Sequence, residues 1–251
     1  FELTFNQYTE EAVTLLSKLA TFARAAGDLF IPYLATTAEF IYNGLETYEL
    51  DEAIPSAALG VTLLSECFDL SPYAMHFFES LTKAVANEEV PLRYKRYVAD
   101  AIGNLATNSP DVFAQVAEEV IEPIDGICQN VIGNIITYAM KDNLFDDDFD
   151  IDDIVCSFLK CLQNMVISLS QSQSELASAA ANVLSDLLEF VGGMEEHGDK
   201  LLTIAVGSME LLINAFPDDM KESFEDEPGF VEILHEAQAA EIMPDVIEMI
   251  F

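Results

Sequence analysis

Apolar residues recur along this chain at the three- and four-residue spacing of a helix face, and the pattern is interrupted at short intervals by Pro, Gly or Ser. The clearest stretch is 97–120, YVADAIGNLATNSPDVFAQVAEEV. Its first half places Val98, Ala101, Ile102, Leu105 and Ala106 at positions i, i+3, i+4, i+7 and i+8, so one face of a helix must be buried. Asn108, Ser109 and Pro110 end that helix and start another, because Ser caps well and Pro at the first helical position gives up no hydrogen bond. The second helix carries Val112, Phe113, Val116, Ala117, Val120 and Ile121 on its apolar side. Together the two predict a short antiparallel hairpin.

Related stretches lie on either side. Residues 58–81 read ALGVTLLSECFDLSPYAMHFFESL, with Ser71-Pro72 in the place of Ser109-Pro110, and 12–34 turn at Ala26-Gly27-Asp28. Downstream, 204–224 turn at Pro217. A helical-hairpin period of about forty residues is the signature of HEAT or armadillo arrays, in which no hairpin buries its apolar face alone and stacking is obligatory. The chain is therefore expected to be all-α, a single HEAT-repeat α-solenoid wound as a right-handed superhelix, with repeats at 9–46, 51–87, 90–141, 151–192 and 198–237 and a truncated tail at 238–251.

In order, the pattern predicts a helix from Thr9, its cap, to about Ala25, burying Leu15, Leu16, Leu19, Ala20 and Phe22, then one over 29–45 with Pro32 in its first turn. The next runs over 51–68 and is followed by one over 71–86, capped by Ser71 and exposing His76, Glu79 and Lys83. Arg93, Lys95 and Arg96 read as a solvated helix start, and Pro123 predicts a kink or break near Glu122 before a further helix over 127–140. Helices over 151–170 and 174–191 follow, the latter opened by a capping box at Ser172–Glu175 and stopped by Gly192-Gly193. Its polar face holds Glu175, Asn182, Asp186 and Glu189. A helix over 198–216 and a less regular stretch to 236 complete the pattern.

Charge narrows the function. The chain carries 45 acidic and 10 basic residues, a net charge of -35, within a composition that is 51% hydrophobic. The hydrophobic fraction excludes disorder, and a stack of hairpins accommodates both, with apolar residues between layers and charge on the exposed faces. Such a field repels nucleic acid and anionic lipid and attracts a basic partner. No run of 18 residues is free of charge and no signal-peptide pattern is present, so the chain reads as a soluble fragment or processed chain without membrane insertion.

Candidate chemistry is sparse. Cys67, Cys128, Cys156 and Cys161 fall in apolar helical stretches and read as buried reduced thiols, and His76, His197 and His235 lack a Cys-x-x-Cys partner. Residues 142–153, DNLFDDDFDIDD, hold seven Asp in twelve positions. An EF-hand loop starting at Asp146 would need Gly where Ile151 stands and Glu where Ser157 stands. The run reads as a solvated loop that charges the next helix N-terminus, or as a docking site for Lys and Arg at Asp146, Asp147, Asp148 and Asp150. With no phosphate loop, nucleophile elbow or metal-spaced set, no catalytic residue and no cofactor is expected.

The junctions AAGDLFIPYL within 11–45, AALGVTLLSECFDLSPYAMHFFESL and IGNLATNSPDVFAQV within 57–121, the acidic linker and helix pair of 151–192, and AVGSMELLINAF with FVEILHEA within 205–236 resemble, in this order, the C-terminal half of the importin-beta family of HEAT-repeat karyopherins. That family carries cargo between cytoplasm and nucleus through nuclear pores, and its C-terminal half wraps the basic segment of importin-alpha. The resemblance implies that second helices line a concave surface, placing Glu79, Glu118, Glu119, Glu122, Glu175, Asp186 and Glu189 there to meet importin-alpha or a basic cargo. It implies nucleoporin Phe-Gly repeats as further partners and contact with the GTPase Ran through the full-length receptor. The alternative is another HEAT scaffold, such as a phosphatase scaffold subunit or a vesicle-coat adaptor.

Overall fold

A computed structural model describes residues 10–47, 52–141, 151–170, 173–194, 197–217, 220, 224 and 227–250. All regular structure among them is helical. None of these helices is long and apolar enough to cross a membrane. The chain divides into two compact units, Phe1–Ile127 and Cys128–Phe251. Thr9, proposed as a cap, and Ser172, proposed in a capping box, lie outside the described residues, as do Asp146, Asp147, Asp148 and Asp150.

The first unit holds α1 (Glu10–Ala26), a 3-10 helix (Gly27–Tyr33), α2 (Leu34–Leu45), α3 (Ala53–Ser65), α4 (Ser71–Ala86), α5 (Leu92–Asn108) and the opening turns of α6 (Pro110–Lys141). In this unit α1 packs on α3 and α3 on α5, while α2 packs on α4. The hairpin partners α2–α3 and α4–α5 close the gap between these two rows. The face expected on α5 is fully inside, since Val98, Ala101, Ile102, Leu105 and Ala106 are all 0% exposed. Phe113, Val116, Ala117, Val120 and Ile121 of α6 are buried as well. Each such aliphatic or aromatic side chain contributes about 1.5–3 kcal/mol by leaving water.

Three local expectations for this unit are corrected. Leu15 and Phe22 are exposed, at 38% and 63%, whereas Leu16, Ala20 and Ala23 form the buried stripe of α1. Residues 27–33 form a separate 3-10 helix containing Pro32, entered through Gly27 at φ 55, a backbone angle that costs glycine no steric penalty. Ser71 does not cap α4; Asp69 Oδ1 accepts the Ser71 backbone N–H at 3.0 Å, and the Ser71 side chain, then this backbone N–H, hold the Asp69 carboxyl below its ordinary range.

α6 is helical from Pro110 to Lys141, so of the kink or break expected near Glu122 the break does not occur. Val120, Ile121, Ile124, Ile127 and Cys128 keep one side of the helix buried across the proline, so packing outweighs the lost backbone bond of about 3 kcal/mol. The second unit contains the remainder of α6, α7 (Ile151–Leu169), α8 (Ser174–Gly192), α9 (Asp199–Ala215), α10 (Pro228–Ala239) and α11 (Pro244–Ile250). Here α7 packs on α8 and α9, α8 on α10, and α9 on α10 and α11. Gln163 Nε2 of α7 donates to Ile204 O at 3.1 Å and Ser208 Oγ at 2.6 Å on α9.

The glycine pair expected to stop α8 has a different use. Gly193 ends the helix with an ordinary right-handed φ of -89. Gly192 lies so close to Gly229 of α10 that a Cβ on Gly192 would overlap the Gly229 backbone, and one on Gly229 would stand 2.8 Å from Glu189 O. Two facing glycines thus set the approach of α8 and α10.

Candidate partner-binding surface

α4 and α6 stand side by side and run in the same direction. Near their N-termini Ser71, the first residue of α4, and Ser109, which precedes α6, meet through their hydroxyls, and Phe78 and Phe113 pack 5.4 Å apart between ring centres a turn or two further along. Behind this seam Phe77, Phe78, Leu81, Val85, Phe113, Ala117 and Val120 are buried, which gives the outward side a fixed backing.

That outward side carries the carboxylates. Glu79 is exposed between His76 and Lys83 on α4, and Glu118, Glu119 and Glu122 are exposed on α6. Spacings of three and four residues put Glu118, Glu119 and Glu122 on one patch of helix surface. Among the described residues none of these four side chains has a hydrogen bond or ion pair, although Lys83 is one turn from Glu79. Like charges at this spacing repel by a few tenths of a kcal/mol per pair, which a cationic partner would relieve.

Glu39 on α2 was not singled out from the sequence. It is exposed with Ala35 and Thr36 on a helix whose other side buries Phe40, Ile41 and Leu45, so the amphipathic pattern held the necessary signal. α2 is tied to α4 by Tyr42, whose hydroxyl donates to Tyr73 O at 2.9 Å and whose ring lies 4.4 Å from that of Phe77. Burial, then the neighbouring Tyr73, pushes the Tyr42 phenol well above its usual range.

In the second unit Glu175, Asn182, Asp186 and Glu189 are exposed on α8, as the spacing predicts. Asp186 Oδ2 accepts a hydrogen bond from Gln129 Nε2 of α6 at 3.0 Å. Glu175 and Glu189 have no hydrogen-bond or ion-pair partner among the described residues.

The basic cluster is not a solvated helix start. Lys95 is 5% exposed, and the Arg93 and Arg96 guanidinium carbons lie 4.9 Å and 4.7 Å from the ring centres of Tyr94 and Tyr97. Arg96 Nη2 also donates to Tyr97 Oη at 2.8 Å. Stacking on aromatic faces holds the half-buried Arg93 and Arg96 guanidinium groups against the helix.

The thiols divide. Cys128, Cys156 and Cys161 are buried and in no disulfide, but Cys67 is exposed, because α3 ends at Ser65 and the apolar stretch around Cys67 is a turn. Burial pushes the Cys156 thiol up to about 11. Among the described residues no group of three or more His, Cys, Asp or Glu is placed to hold a metal ion. No family model matches this chain, and no curated protein matches it.

Proposed function

We propose that this chain is a non-enzymatic binding scaffold, a HEAT-type stack of helical hairpins that takes a Lys/Arg-rich segment of a partner protein on the acidic sides of its second helices. The observation that carries this reading is the set of exposed carboxylates at Glu79, Glu118, Glu119 and Glu122, which have no partner among the described residues and stand on a rigid apolar backing. A net charge of -35 would steer a basic segment toward the chain, and the association would weaken as salt screens the field.

The finer reading is a nuclear transport receptor resembling the C-terminal half of importin-beta, working in cytoplasm and nucleus. Its partners would be the basic importin-alpha segment or a basic cargo, together with nucleoporin Phe-Gly repeats, with Ran engaged by a longer receptor. Support for it comes from the order of helix junctions along the chain. The test is capture of the purified chain on an immobilised Lys/Arg-rich peptide and, separately, on Phe-Gly repeats. Capture on both supports the transport reading. Capture on the basic peptide alone leaves a scaffold of another kind, and capture on neither overturns both readings.

A further inference from the structure

His197 precedes α9, and its side chain is 0% exposed. Its Nδ1 lies 2.7 Å from Glu236 Oε2 on α10, and its Nε2 lies 2.5 Å from the carbonyl oxygen of Val191 in the last turn of α8. A backbone carbonyl can only accept, so Nε2 carries a proton. A carboxylate also accepts, so Nδ1 carries the second. The geometry is that of an imidazolium donating in two directions.

The charged surroundings favour that form. Glu236 faces the ring from α10 and Asp152 acts on it from α7, where Asp152 Oδ2 also receives the Gly198 N–H at 3.4 Å. α8 offers the carbonyl end of its backbone dipole, which favours a cation. Asp199 and Lys200 open α9 immediately afterwards, with Lys200 Nζ held by Asp153 Oδ1 at 2.5 Å, and Glu195 and Glu196 precede His197 in the sequence. His235, next to Glu236, and Glu232 are the other titratable groups of that part of α10, and both are exposed. Burial acts to lower the pKa of His197, but the Val191 carbonyl, then the hydrogen bond and charge of Glu236, then the charge of Asp152 outweigh it and hold the ring above its ordinary value.

We propose that His197 is a proton-operated latch in the second unit, fastening the end of α8 to α10 through two simultaneous donated hydrogen bonds and releasing one of them when it deprotonates. A neutral imidazole has one N–H and one lone pair, so one of the two oxygens would then face a lone pair at hydrogen-bond distance. Because the folded-state pKa is raised, the latch stabilises fully below the unfolded value of about 6.5 and is lost as pH rises through the folded value. The seam it closes is the one in which Gly192 and Gly229 meet, so the release is felt where α8 and α10 have no side-chain bulk to hold them apart.

The test is an NMR titration of the imidazole resonances in the full chain between about pH 5.5 and about pH 9, alongside thermal melts of wild type, His197→Gln and Glu236→Gln over the same range. In wild type the His197 ring should titrate above the ordinary imidazole value of about 6.5. Glu236→Gln keeps the side-chain volume and removes the carboxylate charge, and it should lower the His197 midpoint. The difference in melting temperature between wild type and His197→Gln should be greatest at the acidic end and shrink as pH rises. A His197 midpoint at or below the ordinary value, or one unmoved by Glu236→Gln, overturns the proposal. Should His197→Gln fail to fold, the two titrations decide alone.

Discussion

The hydroxyls of Ser71 and Ser109 lie 3.3 Å apart although 38 positions separate them in the chain. Each stands beside a proline at the start of its helix, so the contact is a direct measure of the offset between neighbouring hairpins. Ser109 is 2% exposed while Ser71 is at the surface. Replacing both by Ala, singly and together, should show a coupling of about 0.5–1.5 kcal/mol in a denaturant double-mutant cycle. A cycle that closes with no coupling would mean the oxygens merely touch.

Leu105 and Phe113 are both 0% exposed and belong to consecutive helices of one hairpin. Leu105→Ala and Phe113→Ala should each destabilise by about 2–5 kcal/mol, because the surrounding helices cannot collapse into the space left behind. Equilibrium unfolding in urea measures this directly. Melts indistinguishable from the parent would contradict the packing described for the first unit.

Glycine substitutions at two places in the fold should move stability in opposite directions. Gly229→Ala places a methyl 2.8 Å from Glu189 O, and Gly192→Ala would overlap the Gly229 backbone, so either must push α8 and α10 apart. A loss above about 1 kcal/mol is expected for each, the range of overpacked sites. A Cβ on Gly126, in α6, meets nothing within 4 Å. Gly126→Ala should therefore stabilise by up to about 1 kcal/mol through helix propensity. Thermal melts of the three variants rank them.

Reversing Glu79, Glu118, Glu119 and Glu122 to Lys should abolish binding of a Lys/Arg-rich segment. Reversing Glu46, Glu88, Glu89 and Glu241, which are exposed in turns and helix ends, should weaken it only slightly. The two sets change net charge equally, so long-range steering is matched and only local pairing differs. Four are changed together because one exposed pair contributes at most about 1 kcal/mol. Titration calorimetry at near-physiological salt separates the outcomes; equal losses would mean that the acidity is a diffuse solubilising field, and the surface assignment would fall.

Helix ends were legible where a chemical stop coincided with the end of the apolar pattern. α4 spans 71–86 as read, although Ser71 is not its cap, and α8 begins at Ser174 as read. The phase of α1 was not legible, because Leu15, Leu16, Leu19, Ala20, Phe22 and Ala23 are all apolar and only the neighbour α3 selects which of them turn inward. Exposure of the carboxylates followed from helical spacing. The His197 partnership did not, since Glu236 is 39 positions away and a single histidine carries no pattern. The burial of Lys95 was hidden for a similar reason, as charge alone predicts solvent.

Pro123 has a consequence for the acidic side of α6 that its packing does not reveal. Lacking an N–H, it cannot return a hydrogen bond to the carbonyl of Glu119 four residues earlier, and Glu119 is exposed. That oxygen loses its helical donor within the same stretch of α6 that bears Glu118, Glu119 and Glu122. It carries no formal charge, so salt does not screen it as it screens the carboxylates, and it accepts from a fixed direction. A lysine or arginine reaching this patch would meet one rigid, oriented oxygen among several flexible ones, which would give a surface built on attraction a means of choosing register.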